Sequence, residues 1–129
     1  LIKGDMEKSR RGMWKLLRTL ENPAISQFLS YTIAPKQRLY LIKPHSGKTH
    51  QIRVALNSIG VPIMGDPLYN STKAADRGYL HAFALNFSLN NKQYQYCLPP
   101  STGSVFNESS TLEVIEQLTP PWQQQWPKL

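Results

Sequence analysis

From Gln27 to Ile33 apolar and polar positions alternate, with Leu29, Tyr31 and Ile33 on one face. Ala34-Pro35-Lys36-Gln37 then turns the chain into a second run, Arg38 to Lys43, so the pattern predicts a β-hairpin. Pro44-His45-Ser46-Gly47 follows as a loop, because proline lacks a donor and glycine favours turns. The period then changes. Ile52, Ala55, Leu56 and Ile59 recur at the i, i+3, i+4, i+7 spacing of an amphipathic helix, with Thr49 or Ser46 able to cap its start. Gly60 and Pro62 mark its end, which places the helix over about 49–59. Its polar face groups His50, Arg53 and Asn57 at spacings of three and four.

Residues 65–79, with Gly65, Asp66, Pro67, Asn70, Ser71, Thr72 and Gly78, have the composition of a loop. Tyr79 to Phe87 reads as a strand with His81, Phe83, Leu85 and Phe87 on one face. Asn90-Asn91 turns it into Gln93 to Leu98, a second hairpin. Ser110 and Glu113 fit a capping box ahead of Leu112, Ile115 and Leu118, predicting a short helix before Pro120-Pro121. Residues 1–25 read as strand and loop, interrupted at Gly12. The expected class is α+β: a largely antiparallel sheet, one packed helix and a short C-terminal helix.

The length of 129 residues fits a single domain, and no repeat or linker divides it. With 40% hydrophobic and 18% charged residues and no apolar run near the roughly 20 residues of a membrane span, a soluble globular chain is expected. Cys97 is the single cysteine, so no internal disulfide is possible; a packing role and a cytoplasmic location are expected. The net charge of +7 is one-sided: residues 1–53 hold eleven Lys/Arg against three acids, and residues 54–129 hold four against five. A basic half of that kind fits either a polyanion partner such as nucleic acid or a solvated basic face.

Several familiar chemistries are excluded by their spacing. Gly47-Lys48-Thr49 resembles the end of a phosphate-binding loop, but position 42, where the motif needs another glycine, is isoleucine. His45, His50 and His81 lack the spacing of a zinc site and have one cysteine to join them, so no metal is expected. Ser46, His50 and Asp66 could be written as a hydrolase triad, yet no G-x-S-x-G elbow accompanies them.

Three blocks carry a sharper signal: Lys43-Pro44-His45-Ser46-Gly47-Lys48-Thr49-His50-Gln51-Ile52-Arg53-Val54, then Gly60-Val61-Pro62-Ile63-Met64-Gly65-Asp66-Pro67-Leu68-Tyr69, then Leu80-His81-Ala82. In this order and separation they closely resemble the RluA-type family of RNA pseudouridine synthases, whose pattern is G-R-T-H-Q-I-R-V-H-L, G-x-P-I-x-G-D-x-x-Y and L-H-A. The resemblance covers roughly residues 24–98. Lys48 replaces the family's usual arginine, keeping the cation but losing the bidentate fork. Ala55 replaces its usual histidine on the predicted apolar stripe and reads as structural.

The resemblance implies isomerisation of uridine in RNA without metal or organic cofactor, initiated by a carboxylate in an H-R-L-D motif. That motif is absent: Asp5, Asp66 and Asp76 sit in other contexts. A family tyrosine that packs on the target base precedes a V-x-G-like strand end, which Leu1-Ile2-Lys3-Gly4 resembles, so tyrosine and aspartate are both expected upstream of residue 1. On this reading the chain is the C-terminal part of a pseudouridine synthase catalytic domain, inactive alone. Arg53 would pair with the missing aspartate, Leu80 would pack on the base, and Lys48 and His50 would meet RNA backbone. Arg10 and Arg11 are further candidate RNA contacts on the basic half. His81 is expected to be a satisfied structural histidine, and Tyr69 to pack and hydrogen-bond within its own loop. Ribosomal or transfer RNA is the expected partner; a non-catalytic RNA-binding module is the alternative, and a protein-interaction role for the Trp122 and Trp126 tail is a third. An apolar seam left by the missing strands would favour self-association.

Overall fold

The computed structural model of the protein describes residues 1–71 and 74–129; Thr72, named in the loop expectation above, lies outside the described residues. The fold is α+β, with antiparallel sheets and, among the described residues, two α-helices. Strands β1 (Ile2–Gly4), β4 (Ala24–Ala34) and β5 (Gln37–Pro44) form one sheet in the order β1-β4-β5. Strands β2 (Met6–Lys8) and β3 (Trp14–Leu16) pair as a small ribbon, and β6 (Ala84–Leu89) pairs with β7 (Lys92–Cys97). Helices α1 (Gln51–Ser58) and α2 (Ser109–Gln117) and a 3-10 turn at Pro121–Gln123 complete the elements among the described residues.

The chain divides into two compact units. The first comprises Leu1–Ser30, Tyr40–Tyr79 and Trp126–Leu129. Its core holds Ile2, Ala24, Val54, Ala55, Leu56, Ile63 and Tyr69, all less than a tenth exposed. Within it Gln27 donates to the Pro127 carbonyl, and the Lys43 ammonium lies 5.5 Å from the centre of the Trp126 ring. The second comprises Tyr31–Leu39 and Leu80–Gln125, with Phe106, Thr111, Ile115 and Leu118 buried.

Helix α1 is shorter than its periodicity suggested. It starts at Gln51, after His50 in a left-handed conformation (φ 55°), and no side chain caps it. Neither Ser46 nor Thr49 caps it; the Ser46 hydroxyl instead donates to Gln51 Oε1, 2.8 Å away. The helix ends one residue earlier than expected, in a Schellman motif: Val61 N–H reaches the Leu56 carbonyl and Gly60 N–H the Asn57 carbonyl. Gly60 supplies the left-handed residue (φ +81°) that this closure requires. Ile59 is therefore the C-cap, 45% exposed rather than part of the core, while Val54, Ala55 and Leu56 are buried.

The hairpin of β6 and β7 turns at Asn90 and Asn91, both left-handed (φ 51° and 62°), as a two-residue type I′ turn demands. The expected strand from Tyr79 begins only at Ala84. Tyr79 spends its N–H on the Met64 carbonyl, and ladder pairing begins once Leu98 N–H meets the Phe83 carbonyl. Leu85, Phe87 and Leu89 face solvent, with Phe87 stacked 5.0 Å from Tyr94. Helix α2 starts one residue before Ser110, so the expected capping box is not formed; Glu108 is the N-cap and its carbonyl accepts from Leu112 N–H.

Candidate functional site

The site grows from the end of β5 through the loop 45–50 into α1. Gln51, 6% exposed, organises that loop with all of its amide capacity. Its Oε1 accepts from Ser46 Oγ (2.8 Å) and Lys48 N–H (3.1 Å). Its Nε2 donates to the Ile25 carbonyl and to Ser26 Oγ, both at 3.0 Å, fastening the loop to β4. Ser46 Oγ accepts from Ile25 N–H (3.1 Å), and His45 N–H donates to the Ile25 carbonyl (2.8 Å). The loop carrying Lys48 and His50 is thus held in shape from below.

One turn into α1, Arg53 meets Asp66. Nε donates to Oδ2 and Nη2 to Oδ1, each at 2.8 Å, the parallel fork that guanidinium and carboxylate form when both are fixed. Asp66 Oδ1 also accepts from the N–H groups of Leu68 (2.9 Å) and Tyr69 (3.2 Å). The Asp66 side chain is 3% exposed and the Arg53 side chain 22%. Burial alone would push the Asp66 carboxyl up; the Arg53 fork and the two amides outweigh it and hold the group below the usual carboxylate range. The same bonds hold Arg53 firmly charged against the opposing effect of burial.

Gly65 makes that placement possible. Its φ is +79°, and a Cβ there would lie 1.9 Å from the Arg77 carbonyl oxygen, so the loop closes only without a side chain. Beyond Asp66, the Tyr69 ring lies beneath the guanidinium, 5.3 Å from Cζ. Tyr69 also reaches outside its own loop, contrary to expectation: its hydroxyl accepts from Trp14 N–H on β3 (2.7 Å) and lies 3.2 Å from His50 Nδ1. With Trp14 using the oxygen as acceptor, the phenol proton can go to His50 Nδ1. His50, left-handed at φ 55°, lies with its ring edge-on to Tyr69 at 5.9 Å and 88°.

Arg53, His50, Asp66 and Tyr69 therefore form one connected group within the first unit. Lys48 sits beside it, lining a cavity of about 500 Å³ with Thr49, Trp14 and Asp5. Asp5, which accepts from the Glu21 (2.9 Å) and Asn22 (2.7 Å) N–H groups, is held below its ordinary value first by Thr19 and then by those amides, with Lys48 adding a smaller effect. Arg10 and Arg11 are exposed in the β2–β3 turn, Arg11 with φ 58°. Leu80 is 44% exposed and belongs to the second unit. His81 Nε2 lies 2.6 Å from the Leu98 carbonyl. Ser46, His50 and Asp66 each have a different partner, which removes the triad. No group of three or more His, Cys, Asp or Glu among the described residues could hold a metal ion, and no helix among them is long and apolar enough to cross a membrane.

Sequence reasoning assigned no role to Asp66 or Gln51. Both lie inside the blocks quoted above, and a glycine immediately before an aspartate, followed by Pro67, was the available sign that the carboxylate sits in a tight, fixed turn.

The chain is 49% identical, over 125 residues and 95% of its length, to an uncharacterized RNA pseudouridine synthase of Haemophilus influenzae. It is 33% and 31% identical over 86 residues, 60% of its length, to the mouse and human RNA pseudouridylate synthase domain-containing protein 1. The chain spans 55% of the bacterial relative and 28% of each mammalian one. No protein-family model and no solved structure matches it.

Proposed function

We propose that this chain, which belongs to the RluA-type family of RNA pseudouridine synthases, carries the arginine half of a uridine-isomerising active site. In this reading Arg53 pairs with a catalytic aspartate from a segment outside the 129 residues and keeps it ionised. Leu80 packs against the base. Lys48 and His50 meet RNA backbone beside the pocket, and Arg10 and Arg11 extend the basic track. The substrate is ribosomal or transfer RNA in the cytoplasm, the target uridine flips out of its stack, and no metal or organic cofactor takes part. The 129 residues are part of one catalytic domain and are inactive alone, because they contain no His-Arg-Leu-Asp. The exposed face of Leu85, Leu89 and Tyr96, each more than half exposed, supports self-association of the isolated chain.

The observation that carries the reading is the state of Arg53: a guanidinium fixed on a packed helix, with two nitrogens engaged by Asp66 and Nη1 without a partner among the described residues. A second carboxylate placed within reach of Nη1 would complete the pairing. The test is carbodiimide detection of pseudouridine in unmodified ribosomal and transfer RNA transcripts treated with the full-length natural protein. Arg53→Ala is expected to abolish the product; undiminished activity would sink the assignment.

The absence of His-Arg-Leu-Asp favours a second reading, an RNA-binding module without catalysis. If about five cations meet single-stranded phosphates, affinity falls roughly fiftyfold between 0.1 and 0.3 M salt. Salt-insensitive binding rules that module out.

A further inference from the structure

We infer that Asp66 is a positioning residue for Arg53, gripping the guanidinium by its Nε/Nη2 edge so that the Nη1 edge is presented in one orientation to a second anionic group. The inference rests on the proposed role of Arg53 and adds to it a residue that touches neither RNA nor the reacting carboxylate.

The geometry argues for a grip rather than a surface ion pair. Both bonds of the fork are 2.8 Å, and the carboxylate is buried and independently fixed by two backbone amides in the turn that follows Gly65. Tyr69 backs the guanidinium plane and is itself pinned by Trp14 and His50. The arginine stem rises from a helix whose neighbouring residues, Val54 and Ala55, are 2% and 3% exposed. Two bonds and a ring face thus restrict a long side chain before an anion arrives, which is what pre-organisation requires.

Electrostatics sharpen the point. An unpaired guanidinium would act on a second carboxylate chiefly through net charge. With Asp66 the pair is neutral, and what it offers is directed N–H bonds at one edge, strong only where the alignment is right. His50 connects the same network to the loop of Lys48, so the backbone-contacting loop and the guanidinium share Tyr69 as a common support.

The experiment is a double-mutant cycle in the full-length natural protein, with kcat and KM measured on the transcript it modifies. Asp66→Asn is expected to lower kcat about a hundredfold, the scale of a roughly 1 Å misplacement, with KM within about twofold. Any residual rate of Arg53→Ala, followed in single turnover with protein in excess over transcript, is expected to be unchanged by adding Asp66→Asn. Full activity in Arg53→Ala would instead remove the underlying role of Arg53. A severe loss in Arg53→Ala together with wild-type kcat in Asp66→Asn, or with effects that multiply, would overturn the positioning role alone. Should Asp66→Asn fail to fold, Asp66→Glu decides: it keeps the charge but displaces the carboxylate by one methylene, so kcat within about threefold of wild type refutes the inference and a loss of about a hundredfold with KM within about twofold supports it.

Discussion

The Arg53 guanidinium and the Asp66 carboxylate are thirteen residues apart in sequence and joined by two bonds of 2.8 Å, one set on a helix and the other in the turn that follows it. The pair closes the loop from Ile59 to Asp66 back onto α1. It also places a permanent cation beside the phenol of Tyr69, and through Tyr69 it is linked to β3 and to the histidine that opens the helix. Structural and chemical duties fall on the same side chains, which makes both measurable.

Removing Asp66 leaves Arg53 partly buried and uncompensated, along with two amides that lose their acceptor. Asp66→Ala is expected to reduce unfolding free energy by about 3 kcal/mol, the scale for breaking a buried pair. Urea denaturation checks this. A loss below about 1 kcal/mol would place the pair among ordinary surface bridges.

The depressed ionisation of Asp66 makes stability depend on acid. A carboxylate whose folded pKa lies below its unfolded value of about 3.9 contributes stability that is complete above that value and disappears as pH falls through the folded pKa. Asp5 acts in the same direction. The denaturation midpoint should therefore be insensitive to these two groups between about pH 5 and 7 and decline below about pH 4. In Asp66→Ala the acid decline should be shallower; an unchanged slope would contradict the assignment.

Tyr69→Phe removes a hydroxyl but keeps the ring under the guanidinium. It strands the Trp14 N–H, and a loss of about 1–2 kcal/mol is expected from an unsatisfied, part-buried donor. Amide exchange at Trp14 should accelerate in the variant. Unaltered exchange there would mean that the bond does not persist in solution.

Two glycines with nearly the same backbone angle should respond differently to alanine. Gly60 (φ +81°) has open space around its missing Cβ, so Gly60→Ala is expected to lose only about 1–2 kcal/mol for the left-handed backbone. Gly65 (φ +79°) would add a collision with the Arg77 carbonyl and should lose well over about 2 kcal/mol, with Asp66 displaced. Thermal unfolding of the two variants side by side distinguishes them; equal losses would show that the loop at Gly65 is free to relax.

Local rules were readable wherever a short stretch of backbone settles its own conformation. The turn at Asn90-Asn91 was legible because both residues tolerate the left-handed region, and the end of α1 because Gly60 closes it. The rules failed where a neighbour distant in sequence competed for a group. Ser46 did not cap the helix because Gln51 and Ile25 engage its hydroxyl. Tyr79 did not begin a strand because Met64 accepts its N–H.

For the candidate site, three short blocks in register carry the family resemblance without any coordinates, and the roles of Arg53, His50 and Lys48 follow from that resemblance as a proposal. Which group Arg53 grips within this chain could not be read that way. Asp66 was visible as an aspartate after a glycine, but the thirteen residues between it and Arg53 allow many separations, and only the packed core of Val54, Ala55, Leu56 and Ile63 brings helix and turn close enough for a bidentate bond. The chain carries periodicity and turn chemistry in its local order. The pairing of a buried charge depends on where two elements come to rest, and long-range packing decides that.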